Sequence, residues 1–383
     1  MKKNTRVINI GLIGFGFIGK LHAKAYQSIP YCFPDSEVCA DIKAVLRTKT
    51  SEDSQFTKAL HIKKVTSDPD VFFSQSLDLV DICTPNMLHL DQVQEALKHV
   101  KNIYCEKPLG RSLSEARSMF ESSQKPDVRT HTAFTTRYIP AFRQMKAIIE
   151  NGGIGEPYHF HAHWFHSSYL DPKRPMSWRL RKADSGGGAL ADLGIHLFDQ
   201  IRFMMGEMDW VQCNTRTFIT RRPVYAGSEN FEIVDVDDWA LCTMGMKCGA
   251  TGSVEVTRVS GGSSESNEFE IIGSQGTVKV NLDNPLSAQY FNARRNQWLV
   301  GVQDFPPPVG IRPIEKLWPP SKQSLGFGLN DHMASELDFL LNIEEKKESS
   351  LNFATALAAQ EILEAAYISA SKHGARISLP LDN

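Results

Sequence analysis

A chain of 383 residues is longer than one hydrophobic core organises well, so two globular domains are expected. With 42 basic against 44 acidic residues and a formal net charge of -2, it has no overall field that would draw it to nucleic acid or to an anionic membrane. A small molecule is the expected partner. The seven cysteines, Cys32, Cys39, Cys83, Cys105, Cys213, Cys242 and Cys248, are odd in number, scattered and without a C-x-x-C pair. Reduced thiols in a cytoplasmic protein are expected, with no disulfide framework and no metal site.

The apolar run Val7 to Ile18, with Lys2, Lys3 and Arg6 ahead of it and Ala23-Lys24-Ala25 behind, imitates a secretory leader. The polar residues Lys20, His22 and Lys24 and three glycines at fixed spacing favour a strand, a turn and a helix instead. No other stretch has the uninterrupted apolar length of a membrane span. Gly14-Phe15-Gly16-Phe17-Ile18-Gly19 follows the strand Val7 to Ile13 directly and opens a helical pattern. In that context a G-x-G-x-x-G makes a tight turn, lets backbone approach a pyrophosphate and packs helix on strand. Gly14, Gly16, Phe17, Ile18 and Gly19 are therefore expected to bind the phosphates of a dinucleotide at the helix N-terminus.

The next strand, Ile42 to Leu46, ends at Arg47, with Thr48 and Lys49 following, where an NAD-specific domain places an acid. A guanidinium there suits a 2′-phosphate, which tilts the expectation for an NAD(P) cofactor towards NADP. Thr84-Pro85-Asn86 ends the strand Leu79 to Cys83, and His89 opens the helix Leu88 to Val100. Ligands of open α/β sheets lie outside strand carboxyl ends, so Thr84, Pro85, Asn86 and His89 are expected to face the dinucleotide; Asn86 and His89 also fit simple turn and cap roles. Glu106-Lys107-Pro108 stands at the next such end, after Ile103 to Cys105. A lysine held there donates a hydrogen bond to a substrate oxygen as alkoxide character develops. Beyond it come a capped helix, Ser112 to Ser123, and a strand, Val128 to Phe134. Alternating strands and helices predict a doubly wound parallel sheet over residues 1–136.

The grammar changes near residues 134–140. After a helix, Pro140 to Glu150, the segments 157–166, 209–221, 231–247, 250–259, 268–273 and 276–282 read as strands joined by turns. They predict a second α+β domain, residues 137–383, with a large, mostly antiparallel open sheet and closing helices within 330–373. His159, His161 and His163 alternate on the first of these strands, which suits a polar sheet face better than zinc. Gly186-Gly187-Gly188 brings the chain close to something, and a helix then begins near Asp192. Asp192 and His196 are four apart, hence on one face. An imidazole near a helix N-terminus is biased towards the neutral form that a base needs. An N-cap aspartate beside a buried histidine fits the same residues.

The ordered set GFGFIG, TPNMLH, CEKPL, FTTRYIPAFRQMK, ENGGIGEP, SWR and GGGALADLGIHLFD resembles the glucose-fructose oxidoreductase, inositol dehydrogenase and rhizopine-catabolism family, Gfo/Idh/MocA, over roughly residues 7–206. The resemblance implies a Rossmann domain followed by an open sheet, with a sugar, cyclitol or related polyol as substrate. It implies Lys107 as catalytic lysine, Asp192 as substrate-binding aspartate and His196 as acid/base. It also implies substrate contacts from Arg137, Trp178 and Arg179, cofactor contacts from Glu106 and Lys107, and a homodimer or homotetramer formed through the sheet. Thr135 and Thr136 depart from the family's usual pair before Arg137, and Arg47 replaces its frequent acid. Reversible hydride transfer is the leading expectation. An NAD-dependent glycosidase and a non-catalytic dinucleotide-binding regulator are the alternatives; a regulator would lack the lysine, aspartate or histidine that this chain keeps.

Overall fold

The computed structural model describes residues 5–48, 54–262, 265–301 and 304–382, so Lys2, Lys3 and Lys49 lie outside the described residues. The chain divides into two compact units, residues 1–110, 114–138 and 312–357 in the first and 111–113, 139–311 and 358–383 in the second.

The first unit is built on a six-stranded parallel sheet: β1 (Arg6–Ile13), β2 (Val38–Leu46), β3 (Lys64–Thr66), β4 (Leu79–Ile82), β5 (Asn102–Cys105) and β6 (Arg129–Thr132). Their order, β3-β2-β1-β4-β5-β6, is that of a dinucleotide-binding Rossmann sheet. β1 and β4 meet at its centre, where the direction of winding reverses. Their apolar side chains Ile8, Ile10, Leu12, Leu79, Val80 and Ile82 are all fully buried, as strands covered on both faces require. The strand β3 carries only three residues and no long apolar run, and was not expected from the sequence.

The sequence reading gave both closing helices to the second domain. The Phe327–Glu345 helix instead belongs to the first unit. Apolar and polar residues alike are buried along it, so it is lodged inside the unit rather than laid on its surface. Ser335 Oγ lies 2.8 Å from Tyr104 Oη and 3.0 Å from His131 Nε2, while Asp338 accepts from Tyr138 Oη at 2.9 Å. Burial, with Arg137 adding repulsion, lowers the pKa of His131 to about 3, so its ring is neutral.

The second unit holds β7 (Pro157–His166), β8 (Met208–Arg216), β9 (Arg221–Pro223), β10 (Phe231–Ile233), β11 (Trp239–Met246), β12 (Thr251–Thr257), β13 (Glu265–Gly273), β14 (Gly276–Asn281), β15 (Gln289–Asn292), β16 (Gln297–Val300) and β17 (Ile377–Ser378). Nine of them form one sheet in the order β16-β15-β14-β13-β7-β12-β11-β8-β17. β7 and β12 run parallel, and the other neighbouring pairs run antiparallel. The segments read as 209–221 and 231–247 each break in two, because β9 and β10 leave to form a separate ribbon. The break at 234–238 frees Asp235, Asp237 and Asp238 for other work: Asp235 Oδ1 accepts from Lys182 N at 2.7 Å, and Asp238 Oδ2 accepts from the Phe218 and Ile219 amides at 2.8 and 2.9 Å. The Phe353–Ser371 helix ends three residues short of Gly374, where the end was expected; the left-handed residues that follow it are His373 and Gly374, with φ of +56° and +80°.

Candidate active site

The G-x-G-x-x-G lies in the turn between β1 and the Phe17–Cys32 helix. Gly14 has φ of +91°, and a Cβ on it would meet Cys83 O at 2.9 Å. A Cβ on Gly19 would meet Gly14 O at 2.3 Å, so only glycine lets the helix sit this close to the turn. Gly16 differs: a Cβ there would meet nothing within 4 Å, and Gly16 caps the helix with no side-chain hydrogen bond. Gly16 thus brings no side chain of its own to the first amides of this helix, and among the described residues nothing stands within 4 Å of where its Cβ would be, which fits a pyrophosphate.

Two further segments meet this turn. Gly14 N donates to Leu46 O at 2.9 Å, so Arg47 leaves β2 beside the glycines. Thr84 packs on the same turn, its Cγ2 standing 2.8 Å from where a Gly14 Cβ would be. Pro85 leads into a short helical turn, Asn86–Leu88, in which Asn86 is buried. His89, expected at the dinucleotide, is fully buried and engaged with backbone: Nε2 lies 3.0 Å from Thr84 O, and Nδ1 lies 3.1 and 3.2 Å from Pro108 O and Leu109 O. It ties the loop after β4 to the loop after β5. Lys107 stands in the second of those loops, two residues past the last residue of β5. Glu106 turns inward, its Oε2 accepting from Lys107 N at 3.1 Å. Arg137 is buried on the short helical turn Thr135–Tyr138 of the same unit.

Asp192 and His196 belong to the second unit, at the start of the Ile195–Met205 helix. The preceding residues Leu190–Gly194 form a wide π-helical turn, an irregularity that recurs at functional sites. The three glycines before it approach the protein's own chain rather than leaving room for a ligand: a Cβ on Gly187 would strike the Tyr367 ring, and one on Gly188 would lie 1.9 Å from Asp237 O. Asp192 is not the helix cap. Asp237 is, its carboxylate accepting from Gly188 N at 2.9 Å and Leu190 N at 2.8 Å while Tyr367 Oη donates to it at 2.8 Å. An anion already occupies this N-terminus, and His196 sits in the second helical turn, so the dipole argument for its charge state loses most of its force. The His196 ring is buried 5.3 Å from that of Trp164.

Sequence reasoning missed Arg258, which is buried after β12 with Nη1 at 4.0 Å from Asp192 Oδ2 and its guanidinium over the Tyr169 ring. Its one signal was a charged residue directly after the alternating strand β12. Trp178 and Arg179 share a short turn of the same unit, the guanidinium stacked 4.4 Å over the indole. His161 and His163 hydrogen-bond Ser253 and Ser266 across the sheet at 3.1 and 3.0 Å. Among the described residues, the side chains close enough to share a metal ion centre instead on His22, with Glu106 and His332 or with Asp81 and Cys83. No described helix is long and apolar enough to cross a membrane.

Residues 8–134 match the oxidoreductase family with an NAD-binding Rossmann fold, and residues 142–279 match the Gfo/Idh/MocA C-terminal domain. The levoglucosan dehydrogenase of Pseudarthrobacter phenanthrenivorans is 30% identical over 95% of this chain and 96% of its own. The myo-inositol 2-dehydrogenase of Thermotoga maritima is 29% identical over 71% of this chain and 74% of its own. Among solved structures, a levoglucosan dehydrogenase in complex with NADH and L-sorbose superposes with a TM-score of 0.88 at 30% identity, over 98% of this chain and 99% of that one. With its strand order, its glycine turn and these likenesses over nearly the whole length, the chain belongs to the Gfo/Idh/MocA family of oxidoreductases, whose Rossmann domain binds NAD.

Proposed function

We propose that the protein moves hydride between a nicotinamide and a carbinol or ketone carbon of a sugar, cyclitol or related polyol. The observation that carries this reading is the glycine turn that opens the Phe17–Cys32 helix at Gly16, reached by the same sheet whose carboxyl end presents Lys107. Gly14, Gly16, Phe17, Ile18 and Gly19 would hold the pyrophosphate, with Thr84, Pro85 and Asn86 alongside. Bound there, the nicotinamide supplies the hydride acceptor or donor. Lys107 donates a hydrogen bond to the substrate oxygen and stabilises its negative charge. His196 takes the hydroxyl proton during oxidation and returns it during reduction. Asp192 accepts hydrogen bonds from substrate hydroxyls, held by Arg258, while Arg137, Trp178 and Arg179 add contacts to the polyol.

Arg47, beside the glycine turn, supports NADP over NAD, although the levoglucosan dehydrogenase was solved with NADH. Assays with levoglucosan, inositols, aldoses and keto sugars, each with NAD and NADP, test the whole reading. Turnover is expected with at least one of these polyols, and Arg47→Asp should shift the kcat/KM ratio towards NAD by roughly tenfold. Sugar release without accumulation of reduced cofactor would mark a hydrolase instead.

The seven free cysteines support a reducing, cytoplasmic setting. Exposed Trp298 and Val300 on β16 support a homodimer or homotetramer formed through the large sheet. Light scattering should give at least twice the chain mass, and Trp298→Glu should lower it. A monomer at micromolar concentration would refute the assembly.

A further inference from the structure

Next to Lys107 in the chain, Glu106 opens onto a cluster of buried ionisable groups centred on His22. His22 lies one turn past Gly19 on the Phe17–Cys32 helix and so shares its face, turned towards the sheet. The close approach that Gly19 permits brings the ring, fully buried, to the ends of β4 and β5. Nδ1 lies 2.9 Å from Asp81 Oδ2, and Nε2 lies 3.2 Å from Glu106 Oε1, an ion pair rather than an aligned hydrogen bond. Cys83 Sγ stands 3.3 Å from the same Nδ1. Glu336 Oε1, from the Phe327–Glu345 helix, stands 3.9 Å from Nδ1, and the His332 ring from that helix is 5.3 Å from the His22 ring. The Tyr104 ring meets His22 edge-on at 5.4 Å, and the buried Tyr26 hydroxyl completes the ionisable set.

Burial opposes charge on His22, but Cys83 and Asp81, by charge and by hydrogen bond, outweigh it and raise the pKa well above the usual imidazole value. Burial likewise pushes Glu106 up, and the contact and charge of His22, followed by the charge of Lys107, bring it down to about 2. Burial raises Glu336 well above the usual carboxylate value, which His22 only partly offsets. The raised His22 pKa contributes stability fully below the ordinary imidazole value, and that is lost as pH climbs through the raised one. The depressed Glu106 pKa contributes above the ordinary carboxylate value, and that is lost as pH falls towards about 2. Between those limits a single imidazolium is shared by the Asp81 and Glu106 carboxylates.

We infer that His22 is a positioning residue for Lys107: wedged between Asp81 and Glu106, it fixes the Glu106 carboxylate against the Lys107 amide, and so fixes where the Lys107 side chain departs from the end of β5. The inference rests on the role given to Lys107 above. Without His22 the Glu106 side chain regains rotamer freedom, and a misplacement of roughly 1 Å at a reacting group costs up to about a hundredfold in rate.

His22→Asn and His22→Gln form the test pair, because an Asn amide nitrogen falls near imidazole Nδ1 and a Gln amide nitrogen near Nε2. The Gln variant keeps a donor for Glu106, and the Asn variant keeps one only for Asp81. The Gln variant should hold kcat within roughly fivefold of the parent, and the Asn variant should lose roughly thirtyfold or more, with KM and NADH affinity within about threefold in both. A second readout needs no substrate: the 13C resonance of reductively methylated Lys107, assigned by its loss in Lys107→Arg. That resonance should overlay the parent in the Gln variant and be displaced in the Asn variant. A displaced resonance with unchanged turnover would keep the clamp and refute the catalytic reading of Lys107. A resonance unmoved in a folded Asn variant, or equal losses in the two variants, would overturn the clamp. So would zinc raising the unfolding temperature of the parent but not of His332→Ala, which would make His22, Glu106 and His332 a metal site instead.

Discussion

Lys107→Ala and His196→Ala are each expected to lower kcat by roughly a hundred- to ten-thousandfold while NADH binds within about threefold of the parent. The two losses have different origins. In the proposed mechanism, removing the ammonium leaves the developing alkoxide without its hydrogen bond, whereas removing the imidazole leaves the hydroxyl proton to water. Under that mechanism the two roles serve the same oxygen, so the double variant should be no more than about tenfold slower than the worse single variant. Stopped-flow measurement of hydride transfer under single-turnover conditions separates this from product release. A parental rate in either variant would remove that residue from the chemistry.

Gly19→Val should weaken NADH binding by roughly a hundredfold or more, about 2.7 kcal/mol, and should lower the unfolding temperature as well. The reason is geometric: a Cβ at this position lies 2.3 Å from Gly14 O and 3.1 Å from Gly14 C, so the helix must withdraw from the turn. Gly16→Ala is the informative contrast. Its Cβ meets no protein atom within 4 Å, so thermal stability should be kept while pyrophosphate binding suffers. Fluorescence titration with NADH and a thermal melt on both variants decide the matter. Equal affinity in the Gly16→Ala variant and its parent would show that the phosphates lie elsewhere.

Much of the first unit was legible because its signals are local. The glycine turn needs only an apolar strand before it and a helical pattern after it, and Thr84 to Asn86 and Glu106 to Pro108 need only a strand to follow. What depended on distant partners was not legible. Nothing within the Phe327–Glu345 helix says which core it enters, since it buries residues along its whole length and presents no single apolar stripe to assign. Asp237 read as part of a continuous strand because its partners, the amides of Gly188 and Leu190, lie more than forty residues away. The pairing of His22 with Glu106 was likewise hidden, although Asp81, a charge inside the apolar run Leu79 to Cys83, was its one visible sign. Asp192 and His196 were singled out by their spacing, but the irregular turn beneath them and the buried Arg258 required the structure.

The return of residues 312–357 to the first unit bears on how the molecule is made. Once residues up to 138 have emerged, the nucleotide-binding sheet still lacks its Phe327–Glu345 helix, with the Tyr104 and His131 side chains that meet Ser335 left uncovered. Residues 139–311 emerge next, and their unit in turn waits for residues 358–383, which bring Tyr367 to Asp237 and Ser369 to Cys213. Both cores therefore stay open until residues 312–383 are made, the first unit closing with 312–357 and the second after it, which prolongs the exposure of apolar surface during synthesis.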